Sequence, residues 1–253
     1  MMTNKQIEEL ESRYLSKFYH FLKSFEEEMM DGFLTKEKIR SDWAGRYGAN
    51  ISDFAVGAER IIYALFNGKG IGQPNSCPVG SDMFFEVKDA FIHIDLKTVQ
   101  TRNIGDITSN IFVGGNQNSY SAEIKKANGT SYAPVRIYTP ALPTFYNRGT
   151  INEKICLTFF ITIVYEDINL NILNINLLCM PNGELVSHYG SKVLTAGKNP
   201  DKARFSFTDV PNFELLDTPK PRVKVIYFDK SMTTDLKTAL SFYEGVYDLQ
   251  ADS

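Results

Sequence analysis

The chain has 253 residues, 43% of them hydrophobic and 23% charged, with a formal net charge of −3. That is enough apolar chain for one substantial core, and the balance excludes a globally basic nucleic-acid or membrane binder while leaving room for a local basic surface. Cys77, Cys156 and Cys179 are odd in number and far apart, so buried thiols in a reducing compartment are expected instead of a disulfide framework or a zinc site.

The N-terminal MMTNKQIEELESRY reads as a charged helix and not as a secretory leader. Over residues 4–30, Ile7, Leu10, Tyr14, Phe18, Phe21 and Phe25 recur at helical spacing. Glu8, Glu9, Glu11, Glu26, Glu27 and Glu28 put much of the negative charge at this end, away from any site that must meet phosphate. A second helix is expected after Thr35 through Trp43. A third follows a Ser52-Asp53 cap, covers Phe54 to Phe66 and ends in Asn67-Gly68-Lys69-Gly70, with Glu59 as its only acid.

The pattern then changes to period two. Met83–Val87, Ala90–Lys97, Ile155–Tyr165, Ile168–Leu178 and Val223–Phe228 read as strands, and Met232–Leu249 as a closing helix. Ile155–Tyr165 is the longest apolar run and is too short to span a bilayer, so no membrane partner and a cytoplasmic location are expected. Helices first, strands in the middle and a helix last imply an α/β chain with a mixed, α+β-like sheet flanked by helices, not a doubly wound parallel sheet. One domain is expected over residues 1–253, with a helical part over about 1–70. Residues 98–150 and 182–222 are long, polar and rich in Gly, Pro, Asn, Ser and Thr, and loops that long in a compact domain are usually functional or disordered.

The stretch GSDMFFEVKDAFIHIDLKT, residues 80–98, contains the chemistry. With Lys88-Asp89 as a two-residue turn, Phe85 pairs with Ile92, Met83 with Ile94, and Asp82 falls opposite Asp95. Met83, Phe85, Val87, Ala90, Ile92, Ile94 and Leu96 then share one face. Asp82, Phe84, Glu86, Phe91, His93, Asp95 and Lys97 share the other. Directly opposed side chains have Cβ atoms roughly 4.5–5.5 Å apart, and like charges there are destabilising. A shared proton, a neighbouring cation or a divalent metal would offset the conflict. Lys97 lies on the same face, and two carboxylates with an ammonium beside them suit a Mg²⁺ ion and the water it carries.

These residues resemble the catalytic hairpin of the PD-(D/E)xK nuclease superfamily: Ser81-Asp82 stands for its P-D element and Asp95-Leu96-Lys97 for D-x-K, with serine in place of proline. The wider stretch Asp82–Ile111 resembles the EcoRV/HincII-like branch of type II restriction endonucleases. The resemblance implies a restriction-endonuclease-like core and Mg²⁺ held by Asp82, Asp95 and the Leu96 carbonyl. It also implies that Lys97 orients or helps deprotonate the attacking water, with Glu59 as a candidate further acid from the preceding helix. The implied activity is site-specific, Mg²⁺-dependent hydrolysis of double-stranded DNA by a homodimer. The alternatives are another nuclease of this fold, acting in repair, on junctions or on modified DNA, and a non-catalytic nucleic-acid-binding protein.

Amide side chains pair with the donor and acceptor of adenine, so Asn116, Gln117 and Asn118 behind Gly114-Gly115 form the first candidate DNA-contacting loop. His188–Arg204 is the second, with Lys192, Lys198 and Asn199 at its basic, glycine-containing tip. His93 lies on the site face without a second histidine near it, and no metal-binding or base role is assigned to it.

Overall fold

The computed structural model describes residues 2–38, 54–69, 73–74, 82–167, 170–199 and 202–251. The expected Ser52-Asp53 cap, Trp43 and Cys77 lie outside them. Helix α1 (Asn4–Ser24) starts on a capping box: Gln6 N donates to Thr3 Oγ1 at 3.3 Å and Thr3 N to Gln6 Oε1 at 2.8 Å, which satisfies two helix-end donors. The single helix expected over 4–30 is broken at Phe25, and α2 (Glu26–Lys38) begins at once. The three glutamates 26–28 occupy its first turn, where negative charge complements the helix dipole. The break lets Met29 and Phe33 enter the core, and it places Thr35 inside α2 and not before a new helix. Helix α3 spans Phe54–Gly68.

Among the described residues the main sheet has seven strands: β1 (Gln73–Pro74), β2 (Met83–Glu86), β3 (Ala90–Gln100), β5 (Phe145–Tyr146), β6 (Lys154–Tyr165), β7 (Ile172–Met180) and β10 (Val223–Phe228). Their order is β1-β2-β3-β6-β7-β10, with β5 beside the start of β6. Only β3 and β6 run parallel within it, so the sheet is mixed as expected. All of β7 and nearly all of β6 are buried, which explains why they read as continuous apolar runs instead of alternating ones.

Helices α1 and α3 cover one face through an aromatic chain: Phe18 lies 5.7 Å from Phe66 and 5.2 Å from Phe159, and Phe66 stacks on Phe85 at 5.6 Å. Phe160, the neighbour pointing the other way, meets Phe205 at 6.4 Å on the opposite face. Phe205 belongs to a small antiparallel sheet of β8 (Leu194–Ala196), β9 (Ala203–Ser206) and β4 (Asn110–Val113). Phe207 continues the contact to Tyr243 of the C-terminal helix at 5.7 Å. That helix is split at Leu240 into α4 (Thr234–Ala239) and α5 (Ser241–Ala251).

Two acids that read as surface charge are inside. Glu8 and Glu11 are buried against the fully buried Arg222, at 3.0 and 2.9 Å, and Tyr189 donates its hydroxyl to Glu8. Glu11 also accepts from Asn182 N at 2.6 Å, so this cluster ties α1 to the turn that follows β7. Burial raises the Glu11 pKa, and the Arg222 charge opposes the rise.

Candidate active site

The hairpin forms in the expected register: Met83 pairs with Ile94, Phe84 with His93 and Phe85 with Ile92. Val87 N donates to Ala90 O at 3.0 Å and closes the Lys88-Asp89 turn. Lys-Asp is an unfavoured pair for a tight turn, and the turn is pinned from outside: Arg13 holds Asp89 at 2.9 Å and the Tyr14 hydroxyl donates to its other oxygen. One step beyond the last pair, Asp82 accepts from Leu96 N through Oδ2 at 2.5 Å, at the level of Asp95.

The face that carries Asp95 is not a solvated one. Phe84, His93 and Asp95 are all buried; Phe84 stacks on Phe91 at 5.4 Å, and His93 Nε2 meets the hydroxyl of Tyr146 in β5 at 2.9 Å. Burial pushes the His93 pKa down to about 4, so it stays neutral at working pH. Asp95 is 3% exposed. Burial raises its pKa to about 6; Lys97 pulls it down, Asp82 pushes it up, and hydrogen bonds from Lys97 and Gln117 lower it. Lys97 is ion-paired to Asp95 Oδ2, and its ammonium also lies 5.8 Å from the Phe160 ring and 5.9 Å from Phe112. Oδ2 is thus held by the Lys97 ammonium, whereas Oδ1 accepts from Gln117 Nε2 at 2.6 Å.

This donor set fits Mg²⁺, which binds through one or two carboxylates, keeps several waters and takes substrate phosphate. Two carboxylates meeting at the open end of the hairpin, one of them buried against a lysine ammonium, supply the oxygen donors such an ion takes. Among the described residues no group of three or more His, Cys, Asp or Glu side chains converges as a metal cluster. Glu59, half-buried on α3, therefore forms no three-carboxylate group with Asp82 and Asp95 in this structure.

The candidate DNA-contacting residues divide. Asn116 is half-buried on the 3₁₀ turn Gly115–Gln117. Gln117 is committed inward: its Oε1 accepts from Gly114 N at 2.7 Å while Nε2 holds Asp95. Asn118 departs from the expectation of a base-reading side chain. It is fully buried, donating to Gly114 O and the Tyr138 hydroxyl and accepting from Tyr120 N at 2.8 Å, and so caps the turn from within. Gly114 makes room for side chains and not for a groove: a Cβ there would lie 2.9 Å from Asn116 Oδ1 and 3.2 Å from Gln117 Oε1. Lys192, Lys198 and Asn199 are exposed. Lys192 sits 3.3 Å from Glu214, and Lys198 shares Asp106 with Arg204, at 3.0 and 2.8 Å.

Asp106 and the exposed Phe112 were not singled out in the sequence, yet with Lys97 and with Arg204, the end of the second candidate DNA-contacting segment, they line a cleft of about 320 Å³ beside β3. The only local signal was the alternation in Asn110–Val113, too short to read. No helix of the described residues is long and apolar enough to cross a membrane.

The family model for the N-terminal domain of the type II restriction enzyme MwoI matches residues 3–169, and that for its central domain matches residues 172–228. Among solved structures, the chain resembles the restriction endonuclease BglI bound to its DNA recognition sequence. The TM-score is 0.68 at 16% identity, over 90% of this chain and 95% of that one. It also resembles the tetrameric restriction endonuclease SfiI bound to cognate DNA, with a TM-score of 0.65 at 14% identity over 91% and 88% of the two chains. No curated protein matches the chain. None of these matches names the EcoRV/HincII branch, so the narrower kinship expected from the hairpin gives way to these relatives. The first family model alone spans well over half of the residues, and the chain belongs to the type II restriction enzyme MwoI family, whose members are DNA-cleaving endonucleases.

Proposed function

We propose that this restriction endonuclease cleaves double-stranded DNA in a Mg²⁺-dependent reaction carried by Asp82, Asp95 and Lys97. The observation that carries the reading is the convergence of the two acids and the ammonium at one end of a buried hairpin. Membership of the family sets aside a repair or junction nuclease and a non-catalytic binding protein.

Asp82 and Asp95 would hold the ion, with the Leu96 carbonyl as a further oxygen. The chemistry the ion supplies when bound is Lewis-acid polarisation of the scissile phosphate and a more acidic water. Lys97, fixed by its pair with Asp95, would orient that water and stabilise the charge that develops on the phosphate. The aromatic floor of Phe84, Phe91 and Tyr146 keeps the hairpin from shifting under that load. Glu59 is a further acid whose role Glu59→Gln would test.

We assign DNA contact to Asn116, Lys192, Lys198 and Asn199. The likeness to BglI and SfiI, both seen with DNA, supports that assignment. The acting unit would be a homodimer on a symmetric site, each protomer cutting one strand. We treat the described chain as one nuclease domain, because the boundary between the two matched segments falls between β6 and β7, which pair in one sheet. A cytoplasmic location accords with the buried free thiols of Cys156 and Cys179.

Digestion of a plasmid of known sequence with Mg²⁺, against an EDTA control, tests the reading. Discrete fragments that vanish in EDTA and with Lys97→Ala are expected. Metal-independent cutting, or cutting at wild-type rate by Lys97→Ala, would refute it. Sedimentation with and without DNA separates a dimer from a monomer or a tetramer.

A further inference from the structure

We propose that Gln117 is a positioning residue for metal binding, joining the turn that faces DNA to the carboxylate that holds the ion. This inference rests on the reading of Asp95 as a metal ligand. Gln117 uses both ends of its amide inside the protein. Its carbonyl oxygen accepts from Gly114 N at 2.7 Å, which closes the 114–117 turn on itself, and its amino group donates to Asp95 Oδ1 at 2.6 Å. The second bond occupies one Asp95 oxygen and leaves the other, buried Oδ2, against the Lys97 ammonium.

The surroundings hold the amide in that place. Gln117 N bonds back to Gly114 O at 3.0 Å, Ala141 N donates to Gly115 O at 2.6 Å, and buried Asn118 caps the same turn. Gly114 has φ −77°, a backbone any residue can adopt, so the need for glycine there is spatial. A Cβ would crowd Asn116 Oδ1 and Gln117 Oε1, the two side chains that follow it. Asn116 is thus one residue from the positioning amide, in a turn with little freedom to move one without the other. A base contact at Asn116 would be felt at Asp95 through Gln117.

Partners that orient a metal-binding carboxylate are worth about 10–100-fold in metal affinity or activity when removed. Gln117→Met keeps the length of the side chain and deletes both amide bonds. In the full-length chain it should raise the Mg²⁺ concentration for half-maximal cleavage by about 10–100-fold, with high Mg²⁺ restoring most of the rate. Mn²⁺ binding to the protein without DNA, followed by loss of the free-ion EPR signal, should weaken in parallel. Affinity for the cleavable DNA without metal should stay within about twofold of wild type. Gly114→Ala, which displaces the amide without removing it, should move the metal dependence the same way. It serves as the test should Gln117→Met fail to fold.

An unchanged metal dependence in a folded variant would overturn the proposal. So would a loss of DNA affinity at constant metal dependence, which would make Gln117 a base reader instead. Asp95→Ala in the same assays separates the two levels of the argument. If it abolishes metal binding and cleavage while Gln117→Met changes neither, only the assignment of Gln117 fails. If Asp95→Ala retains both, the reading of the site itself fails and takes Gln117 with it.

Discussion

Replacing Asp95 by asparagine should abolish cleavage and make the metal-free protein more stable at neutral pH. The carboxyl group is 3% exposed, and burial raises its pKa to about 6 despite the opposing charge of Lys97. In the unfolded chain an aspartate titrates at about 4. Between those values the folded protein binds more protons than the unfolded chain, so this group's contribution is intact below about pH 4 and is lost as pH rises to about 6. About two pKa units at ~1.4 kcal/mol each give a ceiling of about 3 kcal/mol, and relaxation around the buried charge makes about 1–3 kcal/mol the expected range. Urea unfolding of both proteins in EDTA at pH 4 and pH 7.5 measures it. The difference in unfolding free energy should shift by that amount in the variant's favour between the two values. Neutral asparagine makes weaker bonds to Lys97 and Gln117, which displaces the whole comparison but not its slope with pH. A difference that does not change with pH would show that Asp95 is not held ionised at a cost. The inference that the site is poised for a cation would lose its energetic basis.

Lys97→Ala should lose cleavage by at least about 100-fold, since a positioned general acid–base or charge-stabilising group is worth that much. At neutral pH it should also lower stability in chemical unfolding, because it leaves the buried Asp95 carboxylate without its cation. Arg222→Met should cost about 3–5 kcal/mol in chemical unfolding because it leaves Glu8 and Glu11 buried without their cation. Cleavage well below the lowered Tm should persist. Gly183→Ala should destabilise by about 1–3 kcal/mol, since a Cβ would overlap the Ser119 carbonyl oxygen; a Tm equal to wild type would refute the packing. His93 has its pKa lowered to about 4 by burial, so protons bind the unfolded chain first and stability is lost as pH falls from about 6.5 to about 4. His93→Gln should flatten that acid slope in thermal scans.

Much of the fold could be read from local pattern. The strands Ala90–Gln100 and Lys154–Tyr165 were visible because period-two or continuous apolar runs leave little choice of element. The break at Phe25 went unread because neither glycine nor proline marks it. Its signal was the glutamate triplet in the next helix's first turn, which also suits a solvated face. The small sheet of β4, β8 and β9 was hidden inside stretches that read as polar loops, since strands of three or four residues are fixed by pairing with distant partners and not by their own periodicity. Glu8 and Glu11 were misread for the same reason: nothing near them announces Arg222, more than 200 residues away.

The site divides along the same line, and the division bears on what a divergent nuclease must keep. Asp82, Asp95 and Lys97 belong to a hairpin closed by two residues, so their geometry follows from counting outward along two strands. An opposed pair of acids at the open end of an otherwise apolar hairpin is costly, and a sequence retains such a conflict only where the charge is used. The supports are another matter. Gln117 reaches Asp95 from 22 residues away, Tyr146 reaches His93 from 53, and Asp106 reaches Arg204 from 98. Each depends on the path of a loop that the local sequence leaves open, so amides that looked free to read bases are partly committed inside. The polar residues proposed to meet DNA lie outside those internal bonds or at the surface: Asn116 beside the committed Gln117, and the exposed tip where Asn199 follows Lys198, itself paired with Asp106. On the proposed reading, specificity in this chain is expected to reside in a few side chains at the rim of that turn, one residue away from the amide proposed to orient the metal-binding carboxylate.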